Sequence, residues 1–177
     1  MNLEILMREL QNNPLVNILR NLKSKNKSYY PYIPTYTARL ELILKKIIAD
    51  NKNLSKKSFI DIGCGFPAIP IIMDILGCKQ NKGLEYSELY IQLLANKYEK
   101  YMIQGDLLTY DFKDFDILYS YNPIEDPELM IEGIKNITKT MKKGAIFYFN
   151  CVSGNTNILK DLGFINDTRI GISIFKK

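Results

Sequence analysis

The feature that most constrains this chain of 177 residues is a short apolar run that stops at two glycines and continues as an apolar helical pattern. The run covers residues 59–70 and reads Phe-Ile-Asp-Ile-Gly-Cys-Gly-Phe-Pro-Ala-Ile-Pro. It predicts a strand over residues 57–62 and a helix over residues 69–76. The two glycines allow a tight turn with positive φ between these elements. Open α/β sheets form a ligand crevice at such a junction, at the carboxyl edge of the sheet.

The charge around this turn distinguishes between two kinds of ligand. The glycine spacing that starts at Gly63 also fits the dinucleotide-binding fingerprint, which favours a bound pyrophosphate. Asp61 at the strand end would repel a pyrophosphate, whereas it would attract a cation. Pro67 and Pro70 remove two backbone N–H donors from the first helical turn, where a phosphate would bind. The pattern therefore favours a cation, such as the sulfonium of S-adenosylmethionine, over NAD.

The same residues resemble motif I of the class I S-adenosylmethionine-dependent methyltransferases, Asp-x-Gly-x-Gly-x-Gly, with proline in place of the last glycine. This departure affects the entry into the helix more than the pocket, because the first two glycines are intact. The resemblance implies a pocket for the methionine end of the cofactor. The residues that would form it are Asp61, Gly63, Cys64, Gly65, Phe66 and Pro67.

Composition limits the chemistry that the chain can perform. A length of 177 residues, with 46% hydrophobic and 24% charged residues, is typical of one globular domain. The sequence has no histidine, which excludes Ser-His-Asp and Cys-His machinery and the usual histidine base. Its three cysteines have no paired spacing, so we expect neither a disulfide framework nor a metal site. We expect a cytoplasmic protein without a signal peptide or a membrane span.

Strand and helix patterns alternate regularly from residue 55 onward. This alternation predicts an α/β fold with a doubly wound, mostly parallel sheet of about six to seven strands. Residues 1–54 are predicted to form a helical extension or lid ahead of a core of residues 55–177. Within this extension, residues 1–23 carry two short amphipathic helices that suit a lid, a packing layer or a dimerisation hairpin. The pattern does not choose among these three roles.

Two elements of the core carry more specific predictions. Residues 87–98 are predicted to form a helix with Leu89 and Leu93 turned inward and Tyr90 as a further inward candidate. Residues 170–175 near the end of the chain are predicted to form an edge strand, and the residues just before them a stunted strand.

The second predicted strand, residues 81–85, ends in an acid. Glu85 follows Gly65 by twenty residues, where such folds place a carboxylate at the tip of the second strand. A carboxylate there can accept hydrogen bonds from both ribose hydroxyls. We therefore predict that Glu85 and its neighbour Tyr86 lie in the cofactor pocket. A solvated surface acid is the alternative.

Two further strand ends match the methyltransferase resemblance. After the third strand, Asp106 and Leu107 resemble a Gly-Asp-hydrophobic element, which implies that the acid binds the adenine amine and the leucine packs on the ring. After the fourth strand, residues 115–121, Asn122 begins an Asn-Pro pair. This pair is half of the Asn-Pro-Pro-Tyr signature of enzymes that methylate amide or exocyclic amine nitrogens. The resemblance implies that Tyr121 and Asn122 line the methyl site, although Asn-Pro and Gly-Asp are also common turns.

A segment rich in tyrosine and proline, residues 29–36, precedes the core. Proline stiffens the backbone, and tyrosine offers a stacking face and a hydroxyl group. Residues 31–35, Pro-Tyr-Ile-Pro-Thr, resemble the Pro-Phe/Tyr-Val-Pro-Thr/Ser stretch of Dot1-like and related protein-lysine methyltransferases. The resemblance implies a lid in which Tyr32 and Thr35 contact the cofactor. A rigid connector is the alternative.

Together these residues predict methyl transfer from S-adenosylmethionine to a macromolecular acceptor, either an RNA base or a protein side chain. Residues 29–36 favour a protein lysine, whereas the net charge of +5 suits RNA. A non-catalytic nucleoside-binding or assembly module is the alternative, because Pro67 and the incomplete Asn-Pro motif both depart from the family pattern. Fold alone does not separate these functions.

Overall fold

A seven-stranded sheet lies at the centre of the computed structural model, which describes residues 3–22, 37–150 and 156–177. In chain order, its strands are β1 (Ser58–Ile62), β2 (Gln80–Glu85), β3 (Met102–Gln104), β4 (Ile117–Tyr121), β5 (Ile146–Asn150), β6 (Ile165–Asp167) and β7 (Ile172–Lys176). Their order across the sheet is β3-β2-β1-β4-β5-β7-β6. Strands β1 to β5 are parallel, and β7 is antiparallel to both of its neighbours. The predicted α/β fold with a mostly parallel sheet is confirmed.

Helices cover both faces of this sheet. They are α1 (Leu3–Gln11), α2 (Pro14–Asn21), α3 (Thr37–Asp50), α4 (Ala68–Ile75), α5 (Glu88–Tyr98), α6 (Pro127–Thr140) and α7 (Thr156–Asp161). Apolar side chains of α1, α3 and α4 form a core with one face, and those of α6 and α7 form a core with the other. A third, smaller cluster joins α2 to α5. This arrangement leaves the carboxyl edge of the parallel strands for the candidate site.

The N-terminal helices belong to the same packing. Met7 of α1 lies in the core with α3 and α4, while Val16 and Leu19 of α2 pack with α5. Each of these three side chains is at most 1% exposed. The buried stripes of α1 and α2 therefore face the chain's own core, as a packing layer requires.

The inward face of α5 differs in part from the prediction, because Tyr90 is buried as expected and the two leucines are not. Leu89 and Leu93 are 41% and 39% exposed, whereas Tyr90 and Tyr98 are buried. The ring of Tyr98 packs edge-on against Phe66, with the ring centroids 5.0 Å apart. Burying aromatic rings removes more apolar surface from water than burying two leucines, so tertiary packing selects this face.

The last two strands differ in part from the prediction, because the short strand is present as β6 but the edge position was assigned to the wrong strand. β7 is not an edge strand, because it lies between β5 and β6. Its Ile172 and Ile174 side chains reach the core beneath α1, α3 and α4. The edge is formed instead by the three-residue β6, in which Ile165 is 71% exposed. The longer and more apolar strand occupies the interior position because two neighbours bury its side chains more completely than one.

A hydrogen-bonded tyrosine ties the end of α3 to β5. The Tyr148 hydroxyl donates to Asp50 Oδ2 at 3.0 Å and accepts from Asn51 Nδ2 at 2.9 Å. Burial and the nearby Asp50 carboxylate raise the pKa of Tyr148. A Tyr148→Phe substitution leaves the buried Asn51 and the half-buried Asp50 each short of one hydrogen bond. We expect the free energy of unfolding, measured by denaturant titration, to fall by about 1–3 kcal/mol.

Tyr101→Phe is the matched control for this prediction. The Tyr101 hydroxyl also donates to an aspartate, Asp74, at 2.6 Å, but this bond is exposed to solvent. Water can replace it, so we expect a change of less than about 0.5 kcal/mol. Equal losses in the two variants would contradict the role assigned to Tyr148.

Candidate functional site

The strand order of the sheet reverses between β1 and β4. The chain runs from β1 outward to β3 on one side and from β4 outward on the other. Such a switch point leaves a crevice at the carboxyl ends of the two central strands, because the loops that follow them diverge. Asp61 pairs in register with Tyr119, and Tyr119 shares a face of β4 with Tyr121. Asp61 and Tyr121 therefore lie on one face of the sheet beside the crevice.

The loops after β1 and β4 touch at this point. Gly63 has a φ of +76°, and a Cβ on it would overlap the Cβ of Pro123. Asn122, the residue before that proline, has a φ of +38°, where non-glycine residues are rare. Strained backbone of this kind clusters at functional sites, where the surrounding structure holds it in place. The contact sets the Asn-Pro pair directly against the glycine turn.

Glu85 links the loops that follow three neighbouring strands. Its Oε2 accepts from the Gly65 N–H at 2.9 Å, and its Oε1 accepts from the Ser87 N–H at 2.8 Å. Its backbone carbonyl accepts from the Gly105 N–H at 3.0 Å. Burial raises the pKa of Glu85, and the backbone hydrogen bonds oppose this rise. The two carboxylate oxygens together have about four lone pairs, more than the backbone N–H groups use, so Glu85 can still accept a hydrogen bond from a ligand hydroxyl.

Asp61 is buried with no hydrogen-bond partner among the described residues. It is 5% exposed, and no group within residues 3–22, 37–150 and 156–177 donates a hydrogen bond to its carboxylate. Burial and, to a smaller extent, the Glu85 carboxylate raise the pKa of Asp61 to about 8. Any cation that entered the crevice would stabilise the ionised form of Asp61. This pair of acids suits a cationic ligand group.

The glycine turn has few N–H groups to offer an anion. The Gly65 N–H is donated to the Glu85 carboxylate, and the Ala68 N–H bonds within the turn at 2.7 Å. Pro67 begins the turn into α4 and carries no N–H. A pyrophosphate would therefore meet two carboxylates and few donors, which disfavours a dinucleotide in this crevice.

Side chains of the turn are mostly enclosed by protein. Cys64 packs against β2 where a side chain on Gly83 would overlap its Sγ, and Phe66 lies in the cluster between α2 and α5. Burial, followed by the charges of Glu85 and Asp61, raises the pKa of the Cys64 thiol well above its usual range. Cys64 and Phe66 would thus contribute backbone more than side chain to a pocket.

The remaining predicted cofactor residues lie in different environments. Tyr86 is 48% exposed at the end of β2. Asp106 is half-buried, and its Oδ1 accepts from the Leu108 N–H at 2.9 Å. Leu107 is buried beneath α6, where it fills the space that a Cβ on Gly133 would need. The adenine contacts of Asp106 and Leu107 stay predictions.

Two predicted residues cannot be placed. Tyr32 and Thr35, together with the Dot1-like stretch of residues 31–35, lie outside the described residues. Their contact with a cofactor stays a prediction.

A polar residue that the sequence analysis did not single out lies at the same edge of the sheet as Asp61, Glu85 and Tyr121. Asn150 ends β5 and pairs in register with Tyr121. It is 0% exposed, and neither its Oδ1 nor its Nδ2 has a hydrogen-bond partner among the described residues. Side-chain alternation along β5 could have identified it, because the polar Asn150 falls on the same face of the strand as Tyr148, which lies in the core.

The contact of Pro123 with the glycine turn and the backbone contribution of Ser87 were also missed. Pro123 fills the space beside Gly63, and Ser87 contributes a backbone N–H to Glu85. Neither role has a signal in the residue type.

Metal and membrane roles receive no support from the part of the chain that is described. Within it, no group of three or more acidic or cysteine side chains is arranged to hold a metal ion. No helix in the same ranges combines the length and the apolar character that crossing a membrane requires.

Solved structures share this fold, although no family model and no curated protein matches the chain. A protein of Pyrococcus horikoshii, described as a candidate RNA methyltransferase, superposes with a TM-score of 0.69 at 14% identity, covering 100% of this chain and 97% of its own. A protein of Thermoplasma acidophilum gives a TM-score of 0.64 at 16% identity, with coverages of 98% and 93%. An RNA methyltransferase of Salinibacter ruber in complex with S-adenosylhomocysteine gives 0.54 at 14% identity, with coverages of 80% and 90%.

In three further matches, the chain spans only 50% to 65% of the length of the other protein. At these identities the likeness shows a common fold.

Proposed function

We propose that this chain is an S-adenosylmethionine-dependent methyltransferase. The observation that carries the proposal is the buried carboxyl group of Asp61, which has no partner among the described residues and lies beside Glu85 at the switch point. A bound cation would supply the missing partner. S-adenosylmethionine carries both a sulfonium and an α-ammonium group, and either is attracted by an ionised carboxylate in a buried site.

The strand order suggests how the cofactor lies along the carboxyl edge. Asp106 after β3 would meet the adenine, Glu85 on β2 the ribose, and Asp61 on β1 the methionine end. Tyr121 and Asn122 at the end of β4 would then flank the activated methyl group that the cofactor supplies. These residues act by alignment, and no histidine base is needed when the acceptor nitrogen enters neutral.

Solved proteins of the same fold agree with this proposal. One of them is an RNA methyltransferase with S-adenosylhomocysteine bound, and another is described as a candidate RNA methyltransferase. The net charge of +5 also suits an RNA acceptor. We therefore propose RNA ahead of a protein side chain as the acceptor.

Calorimetric titration of the purified chain with S-adenosylmethionine, S-adenosylhomocysteine and NAD tests the cofactor. We expect micromolar affinity for both adenosyl ligands and none for NAD, because the turn offers a pyrophosphate few N–H donors and would place it beside two buried acids. Binding of NAD alone, or of none of the three, would contradict the proposal.

Transfer of a labelled methyl group separates the enzyme from the binding module. We expect the label to enter unmodified RNA and not a protein fraction. Cofactor binding without transfer to either fraction would favour the non-catalytic nucleoside-binding module, for which the incomplete Asn-Pro motif leaves room.

A further inference from the structure

We propose that Asn150 binds the methyl acceptor and that this acceptor is a nucleobase whose exocyclic amine receives the methyl group. The inference rests on the proposed function and extends it to the acceptor side of the crevice.

The first support is the position of Asn150 in the sheet. Tyr121 at the end of β4 pairs in register with Asn150 at the end of β5. On the other side of β4, Ser120 pairs with Ile62 of β1. Gly63, the residue after Ile62, therefore lies next to Tyr121. In the same row, Glu85 follows Leu84, the partner of Ile62. Along this row, the ends of β2 and β1 would hold the cofactor from its ribose to its methionine end, and the end of β4 would lie beside its methyl group. The next strand is β5, and Asn150 is its last residue.

The second support is the state of the Asn150 side chain. Both polar atoms are buried and neither has a hydrogen-bond partner among the described residues. A buried amide in this state opposes folding, because it has lost its hydrogen bonds to water. Such groups are rare in folded proteins, and a role in binding is one of the recognised explanations.

The third support is the chemistry of a carboxamide. Asn150 offers an acceptor, Oδ1, beside a donor, Nδ2, in one plane. Adenine and cytosine present the complementary pair, an exocyclic N–H beside an unprotonated ring nitrogen. A lysine amine has no acceptor once protonated and would leave the donor of Asn150 unused. The side chain therefore matches a base edge better than a lysine.

Asn150 would act by fixing the direction of the nucleophile. Its Oδ1 accepts one N–H of the exocyclic amine, which turns the nitrogen lone pair toward the methyl carbon. The new bond joins that nitrogen to the methyl carbon, and the carbon–sulfur bond breaks with its electron pair returning to sulfur. The product is S-adenosylhomocysteine, and the surplus proton on the nitrogen passes to water. Asn150 is fully covered in the ligand-free chain, so the protein around it must rearrange before a base that has left its stack can reach it.

The test compares Asn150→Leu with the wild-type chain in three measurements. Leucine has a similar size and no hydrogen-bonding groups. We expect the melting temperature of the ligand-free variant to rise by about 2–4 °C, because the unpaired amide is removed. The dissociation constant for S-adenosylmethionine should stay within about twofold. The kcat/KM for a random-sequence pool of unmodified RNA should fall by about 10- to 100-fold, as expected for the loss of a two-bond base contact.

Two further variants keep the test decisive. The alanine of Asn150→Ala is smaller than asparagine and cannot clash with its neighbours. This variant should show the same loss of methyl transfer with cofactor binding intact. Asn81→Leu is the matched control, since Asn81 is also buried with an unpaired Oδ1, but its Nδ2 donates to Cys78 O at 2.9 Å on the amino side of β2. This control should lower the melting temperature and leave kcat/KM per folded molecule unchanged.

Three outcomes would overturn the inference. Unchanged kcat/KM in Asn150→Leu and Asn150→Ala would show that the acceptor does not contact this residue. A lower melting temperature with loss of cofactor binding in both variants would show a structural role. Transfer by the wild type to a protein fraction instead of RNA would exclude a nucleobase. A wild-type chain that binds no S-adenosylmethionine would instead refute the proposed function itself.

Discussion

Asparagine in place of Asp61 is expected to weaken S-adenosylmethionine binding by about 30-fold or more at pH 8, because a buried charged partner of the ligand is removed. The same substitution is expected to make the ligand-free protein more stable at that pH. Asparagine keeps the shape of the side chain and cannot ionise in its buried position. A gain in stability together with a loss of affinity is the mark of a residue retained for binding.

The stability difference between Asp61→Asn and the wild type should widen with pH. The pKa of Asp61 is about 8 in the folded chain, against an ordinary value of 3.8. Between these values the folded state keeps a proton that the unfolded state has lost, so wild-type stability falls as the pH rises from about 4 to about 8 and then levels off. Thermal melts at pH 5 and pH 8 measure this, and the variant should lack the part of the decline that Asp61 causes, while the part that Glu85 causes remains.

Cofactor affinity should change with pH in the opposite direction. A cation binds the ionised form of Asp61, so wild-type affinity should rise by up to about tenfold per pH unit below pH 8. Calorimetry should record proton release on binding, and the Asp61→Asn variant serves as the reference for titration of the ligand itself. Asp74→Asn is the control, because hydrogen bonds from Tyr101 and Lys100 hold the pKa of Asp74 low outside the crevice. Identical pH profiles in the wild type and Asp61→Asn would contradict the role of Asp61.

Alanine at Gly63 is expected to be the most damaging small substitution in the crevice. Position 63 has a φ of +76°, which strains any residue with a Cβ, and the added Cβ would overlap the rigid ring of Pro123. We expect strain and overlap together to reduce the free energy of unfolding by about 2–4 kcal/mol. The displaced Pro123 would shift Asn122, so kcat for methyl transfer should fall by about 100-fold even in the folded fraction.

Gly77→Ala separates the two contributions. Gly77 has a φ of +82°, but a Cβ there would meet nothing within 4 Å. The Gly77→Ala variant should therefore lose only the free energy of unfolding that the strained backbone costs, about 1–2 kcal/mol, and should keep full activity. Denaturant titration and a methyl-transfer assay measure both variants. Activity of Gly63→Ala equal to that of Gly77→Ala would show that the contact with Pro123 does not position the site.

Elements whose signals are local could be predicted from the sequence. Residues 57–62 were predicted as a strand and residues 69–76 as a helix, and the structure has Ser58–Ile62 and Ala68–Ile75. Periodicity and glycine conformation depend on residues close together in the chain, which is why these boundaries differ by only one residue.

Features that depend on distant neighbours could not be predicted in the same way. The prediction for α5 was wrong at Leu89 and Leu93 because the buried face is the one on which the Tyr98 ring packs with Phe66 from the loop after β1. The position of β7 was wrong because strand order is decided by which neighbours bury Ile172 and Ile174. Asn150 went unnoticed because its lack of partners is a property of its surroundings.

By itself, the sequence determined the alternation of strands and helices, the glycine turn and the acids at the strand ends. These follow from side-chain periodicity and from backbone sterics, which act over a few residues. Only the tertiary structure decided that Glu85 bonds backbone amides while Asp61 is left without a partner among the described residues. Burial and hydrogen-bond pairing are decided by the residues that the sheet brings alongside, and these lie far apart in the chain.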